Sequence, residues 1–125
     1  MNIIFLDFNG VLDKYDNIDE IGLDNLKRLK EIVDETNSKV VITSSIKNSY
    51  YYTGKYGKKL KEVINTLQNN EIDVIGITEK EDTREAEIDR YLKKHLEIEK
   101  FCIIDDDFEM RKFKNNIVKL QIQSK

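Results

Sequence analysis

The sequence predicts an α/β domain of three layers, a mostly parallel sheet of about five strands with helices on both faces. Three observations carry this expectation. Short apolar runs at 3–6, 40–42 and 101–104 lack the alternation of a half-exposed strand, so they read as strands buried on both faces, with 73–78 as a further strand. Stretches of helical apolar spacing separate them, which implies right-handed crossovers and hence parallel pairing. Three of the runs end in a polar residue, Asp7, Thr43 and Asp105, at the strand ends where open α/β sheets bind ligands.

The first strand, Ile3-Ile4-Phe5-Leu6, stops at Asp7-Phe8-Asn9-Gly10-Val11. A carboxylate at the end of a buried strand is costly unless paired, so Asp7 points to a cation or a set of donors. Gly10 lets the backbone turn and approach a ligand. The plainer alternative is that Asp7 caps the next element and Gly10 turns the chain. Residues 14–20 are polar and acidic, a short flap or loop too short for an inserted cap domain. Leu23, Leu26, Leu29, Ile32 and Val33 predict a helix over 23–35, closed by Asn37-Ser38.

Val40-Val41-Ile42 forms the second strand and ends in Thr43-Ser44-Ser45. Leu60, Val63, Ile64 and Leu67 mark a second helix. The third strand spans 73–78 and leads into the acidic residues 79–82. Asp82 or Thr83 caps a third helix, with Glu85 placed to complete a capping box to Asp82. Ile88, Tyr91, Leu92 and Leu96 share one face of that helix. Phe101-Cys102-Ile103-Ile104 is the fourth strand and ends in Asp105-Asp106-Asp107. A helical turn over 108–113 and a less buried strand over 117–122 complete the chain.

The 125 residues fit one domain, 1–125, with no repeat or linker. At 39% hydrophobic and 36% charged, the composition is that of a soluble globular protein rather than a disordered one. A net charge of −3 argues against general affinity for nucleic-acid backbones, although a local basic patch remains open. One cysteine makes no internal disulfide, and no signal peptide or long apolar run is present, so a cytoplasmic location with no membrane contact is expected. Cys102 falls within an apolar run and behaves as a small hydrophobe. His95 is the sole histidine, in a charged helix end, which leaves histidine triads and zinc sites without material.

Asp7, Asp105 and Asp106 at one sheet edge would repel one another unless a hard cation joined them, and oxygen donors with open water positions suit Mg²⁺. Magnesium in turn implies phosphate. Asp105-Asp106-Asp107 alone reads equally as an acidic loop or helix cap. Residues 47–61 interleave Tyr50, Tyr51, Tyr52 and Tyr56 with Lys47, Lys55, Lys58, Lys59 and Lys61. Such a pattern suits stacking on bases and pairing with phosphates, or simply a loop entering a basic helix start.

The segment Asp7-Phe8-Asn9-Gly10-Val11 resembles the signature of the haloacid dehalogenase superfamily of phosphohydrolases, a hydrophobic strand followed by Asp-x-Asp-Gly-[Thr/Val], with Asn9 in place of the second aspartate. Three further motifs match in order. A hydroxyl after a buried strand is Thr43, with Ser44 as neighbour. A basic residue leading the helix before the acidic strand is Arg84, where lysine is commoner. A strand ending in paired acids is Asp105-Asp106. The resemblance implies a Rossmann-like fold without a large cap and is nearest to small capless members, including RNA-repair-associated domains.

The resemblance further implies a phosphatase working through an aspartyl-phosphate on Asp7. Mg²⁺ would be held by Asp7, the Asn9 carbonyl and Asp105 or Asp106, and Thr43, Ser44 and Arg84 would bind the phosphoryl oxygens. Arg84 read without the resemblance is a surface ion pair with Glu87 or Glu81. Asn9 has no proton to exchange near neutral pH, so the general acid is missing, with Asp13, Tyr15 or Asp107 as substitutes. The partner expected is a phosphorylated substrate, a phosphoprotein or a nucleic-acid end. A catalytically impaired Mg²⁺ and phospho-ligand binding module is the alternative. A signalling receiver domain fits poorly, because the third strand ends in Ile77-Thr78 rather than an aspartate.

Overall fold

The computed structural model describes residues 1–7, 13–14, 17–43, 55–79, 81–104 and 111–118. In chain order the elements are β1 (Asn2–Leu6), β2 (Asp13–Lys14), β3 (Asn17–Ile21), α1 (Leu23–Thr36), β4 (Ser38–Ile42), α2 (Lys55–Asn69), β5 (Val74–Ile77), α3 (Arg84–Lys94), β6 (Lys100–Ile104), a 3-10 helix (Arg111–Asn116) and β7 (Ile117–Val118).

β1 lies at the centre of a five-stranded sheet of order β5-β4-β1-β6-β7, in which every pair is parallel. Its central place explains its composition. Successive side chains of a strand point to opposite faces, so a strand covered on both sides has no polar positions to spare. Ile4 and Leu6 pack with Leu26, Leu29 and Val33 of α1 and with Val63 and Leu67 of α2. Ile3 and Phe5 pack on the other face with Ile88 of α3, Ile103 and Phe113. Two helices on one face and one on the other give the three expected layers.

Several elements differ in detail from the sequence expectation. Residues 14–20 contribute to an antiparallel pair, β2 with β3, in which Asp13 faces Ile21 and Lys14 faces Asn17. Backbone pairing of this kind leaves no period-two apolar signal in so polar a stretch. Leu23 is 81% exposed, because as the first residue of α1 it precedes the turn that meets the sheet. Asn37 closes α1 in the left-handed region, φ 50° and ψ 50°, as the sequence suggests.

α3 ends at Lys94, and His95 leaves helical geometry with φ −128° and ψ 73°. Leu96 keeps the helical spacing in sequence but not in space, and it is 87% exposed rather than on the packed face. The 3-10 helix lies later than the turn expected over 108–113, of which 108–110 are outside the described residues. β7 pairs Ile117 with Ile103 and Val118 with Ile104, and the rest of the expected final strand also lies outside them. Among the described residues no helix is long and apolar enough to cross a membrane.

Candidate active site

From β1 the chain steps to β4 and then β5 on one side, and α3 carries it back to β6 on the other. The order therefore reverses between β1 and β6, and their carboxyl ends flank the crevice where such sheets take ligands. The register aligns this edge, since Leu6 faces Ile42 on one side and Ile104 on the other.

The ladder continues one residue beyond the strands. Thr78 N–H donates to Ile42 O at 3.0 Å, Thr43 N–H to Leu6 O at 2.9 Å, and Asp7 N–H to Ile104 O at 3.0 Å. Thr78, Thr43 and Asp7 thus form a row across the carboxyl edge, and all three are buried. Apolar residues would fill such positions at lower cost, so three polar ones in a row mark the edge as chemically distinct.

Arg84 reaches this row from α3, with Nη1 at 3.4 Å from Asp7 Oδ1. The local sequence places it there. Thr83 adopts extended backbone, φ −133° and ψ 159°, and its Oγ1 accepts the Ala86 N–H at 3.0 Å, which makes it the N-cap. Arg84 is then the first helical residue, set at the carboxyl edge of the sheet. The cap is Thr83 rather than Asp82, and the residue three beyond it is Ala86, so the expected box between Asp82 and Glu85 is not the cap in use. Glu81, a suggested surface partner for Arg84, pairs with Arg90 at 2.7 Å. Burial of the Asp7 carboxylate is offset by the guanidinium beside it.

The structure therefore brings together Asp7, Thr43 and Arg84. Asn9, Ser44, Asp105 and Asp106 lie outside the described residues, as do Tyr15 and Asp107. Ile104, whose carbonyl accepts the Asp7 N–H, is the residue that Asp105 follows in sequence. Among the described residues no three His, Cys, Asp or Glu side chains gather as a metal cluster. Of the tyrosine and lysine segment, 47–54 lies outside the described residues and α2 begins at Lys55.

Two residues of the edge were not expected in the site, Thr78, named only as a strand end, and Glu87, named only as a surface partner for Arg84. Glu87 is 5% exposed, accepts the Thr78 hydroxyl at 3.4 Å on Oε1 and accepts the Glu81 N–H at 3.2 Å on Oε2. A signal was present: positions 84, 87, 88 and 91 form an i, i+3, i+4, i+7 stripe, and two of its four members are charged. Away from this edge, His95 stacks on Tyr91 with ring centroids 3.9 Å apart, and its Nδ1 lies 2.9 Å from Tyr91 O. Cys102 pairs in register with Ile4, and burial pushes its thiol up, the opposite of a reactive nucleophile.

No curated protein and no solved structure shows a significant match to the chain. A protein-family model described as the HAD domain in Swiss Army Knife RNA repair proteins matches residues 3–124. By that match, and with a parallel sheet whose switch point carries Asp7, the chain belongs to the haloacid dehalogenase superfamily as a HAD domain of the Swiss Army Knife RNA repair type.

Proposed function

We propose that this domain is a Mg²⁺-dependent phosphohydrolase in which Asp7 is the nucleophile and Arg84 a phosphate-binding residue. The observation that carries the reading is the 3.4 Å contact between Arg84 and Asp7 at the topological switch point, beside Thr43 in the same row. An anionic nucleophile that attacks an anionic phosphate needs a cation at the point of attack, and the first turn of a helix adds its own positive end.

The donors at this edge fit a hard cation. Asp7 supplies carboxylate oxygen, whereas His95 lies at the far end of α3, about 16 Å along the helix from Arg84 at 1.5 Å per residue. The thiol of Cys102 is two residues back along β6. Asp7, the Asn9 carbonyl and Asp105 or Asp106 would hold Mg²⁺, which when bound neutralises charge on the phosphoryl oxygens.

Asp7 attacks phosphorus in line, forming an aspartyl-phosphate as the bond to the leaving oxygen breaks and its electron pair departs with that oxygen. Thr43 and Arg84 hold the phosphoryl oxygens, and such positioning with charge stabilisation carries most phosphoryl-transfer catalysis. Asn9 cannot protonate the leaving oxygen or activate the water that releases phosphate, so turnover is slow with poor leaving groups. The substrate class we propose is a phosphomonoester at a nucleic-acid end, in keeping with the RNA repair proteins whose HAD domains the family model describes.

Phosphate release from an aryl phosphate and from phosphorylated oligonucleotides, with Mg²⁺ and with chelator, tests this in the protein, Asp7→Asn and Asn9→Asp. Turnover that needs both metal and Asp7 is expected, with a gain in Asn9→Asp. Asn9 also favours a second reading, a module that binds Mg²⁺ and a phospho-ligand without turnover. Metal binding with no release in either the protein or Asn9→Asp would favour the module.

A further inference from the structure

Glu87 is a carboxylate on the face of α3 that also carries Arg84, Ile88 and Tyr91. Its neighbour Ile88 is fully buried, and Tyr91 one turn on packs edge-on against Phe5, with centroids 5.7 Å apart. Burying a charged side chain at such a position carries a desolvation penalty that an aliphatic residue would avoid. What the carboxylate does there is specific. Through Oε1 it accepts from Thr78, the residue that extends β5 along the row containing Thr43 and Asp7. Through Oε2 it accepts from the backbone of Glu81, within the short connection from β5 to α3.

One side chain therefore ties the end of β5, the connecting residues and the first turn of α3 together. Arg84 stands one turn earlier on the same face, since residues three apart on a helix are neighbours. From there it reaches Asp7. We propose that Glu87 is a positioning residue that fixes the first turn of α3 against β5 and thereby holds Arg84 over Asp7. The inference rests on the reading of Asp7 and Arg84 as phosphoryl-transfer residues, and it adds the group that sets their separation.

A purely structural role and a positioning role differ in what they couple to. Loss of a buried acceptor alone would lower stability and leave Arg84 in place. Loss of a positioning group releases Arg84, and further loss of Arg84 then adds little, because groups that act through one another are not additive.

The test compares Glu87→Ala, Glu87→Gln, Thr78→Val, Arg84→Ala and the Glu87→Ala/Arg84→Ala double variant. Inorganic phosphate binding is measured by calorimetry with Mg²⁺ present, and the Arg84 to Asp7 separation by crystallography. In Glu87→Ala the guanidinium is expected to leave Asp7, with phosphate affinity falling about tenfold to a hundredfold, the scale of one charge-assisted contact. Glu87→Gln keeps an acceptor for the Glu81 N–H and is expected to retain Arg84 on Asp7. The double variant is expected to bind no more weakly than Arg84→Ala.

Thr78→Val removes one donor to Glu87 with little change in volume, and an intermediate displacement of Arg84 is expected there even where Glu87→Ala fails to fold. Arg84 unmoved in the folded variants that disrupt the clamp, or affinity losses that add in the double variant, would overturn the inference. Absence of phosphate binding by the unaltered protein would instead refute the proposed function, and the position of Arg84 across the variants would still decide the role of Glu87.

Discussion

Nη1 of Arg84 lies 3.4 Å from Oδ1 of Asp7, which joins the first turn of α3 to the end of the central strand. The contact is between a buried carboxylate and a mostly buried guanidinium, so its loss is not screened by solvent as a surface pair would be. Arg84→Ala removes a cation from beside the buried Asp7 carboxylate. Turnover of an aryl phosphate is expected to fall about 10²- to 10³-fold, as when one preorganised donor is removed. Arg84→Lys keeps the charge but not the planar fork, so it is expected to lose less. Steady-state kinetics of the two variants checks the order, and equal losses would show that charge is not what Arg84 contributes.

Thr83 sets where that arginine begins. Its Oγ1 satisfies the Ala86 N–H, and Thr83→Ala removes the acceptor without altering the apolar face of α3. A loss of about 1 kcal/mol is expected in denaturant unfolding, with most of it restored in Thr83→Ser. Because the cap and Arg84 are adjacent, phosphate affinity should weaken in Thr83→Ala as well. A fall in stability alone, with affinity intact, would show that the helix start is held by other contacts.

The strands were legible because burial on both faces suppresses alternation, and β1, β4 and β6 carry that signature in Ile3 to Leu6, Val40 to Ile42 and Phe101 to Ile104. The positions of Asp7 and Thr43 followed from it, since each directly follows a strand, whereas Arg84 was reached through the resemblance and read without it as a surface ion pair. The parallel direction followed from the alternation with helices, but the strand order and the antiparallel pairing of β2 with β3 did not. Strands β2 and β3 are defined by backbone pairing in a mostly polar stretch, and Leu96 continues a spacing after the helix itself has ended at Lys94. Glu87 was placed on the surface for a related reason. Charge suggests a surface, and only the three-dimensional contact with Thr78 and Glu81 makes an interior position tolerable for it.

Gly76 is required by Tyr91. A Cβ at Gly76 would stand 2.8 Å from the Tyr91 hydroxyl oxygen, inside van der Waals contact. The ring cannot easily retreat, because it stacks on His95 at 3.9 Å and meets Phe5 edge-on. Gly76→Ala is therefore expected to destabilise by about 1–3 kcal/mol, the range for overpacking, despite the usual gain from replacing glycine within a strand. In a Tyr91→Phe background the contacting oxygen is gone and the same substitution should cost less. Thermal or denaturant unfolding of the four proteins closes this cycle, and equal costs in both backgrounds would assign the requirement for glycine to something other than Tyr91.

Cys102 gives the fold an alkaline limit. Burial holds its thiol above 9.0, the ordinary value, because the thiolate would lose its hydration between β1 and the helices. The folded protein therefore keeps this proton at a pH where the unfolded chain releases it. The stability contributed is fully present below the unfolded pKa and is lost as pH rises through the folded one. Tyr91 acts in the same sense above 10.0, raised chiefly by burial and secondly by the charge of Glu97. Unfolding free energy is thus expected to decline above about pH 9, and more gently in Cys102→Ala once its own lower starting stability is subtracted. At pH 7.5, alkylation by iodoacetamide should be slow in the folded protein and rapid in denaturant, because thiolate rather than thiol is the reacting species. Fast alkylation of the folded protein with no alkaline decline would place Cys102 in water, and the packing of β6 against β1 would then need revision at that residue.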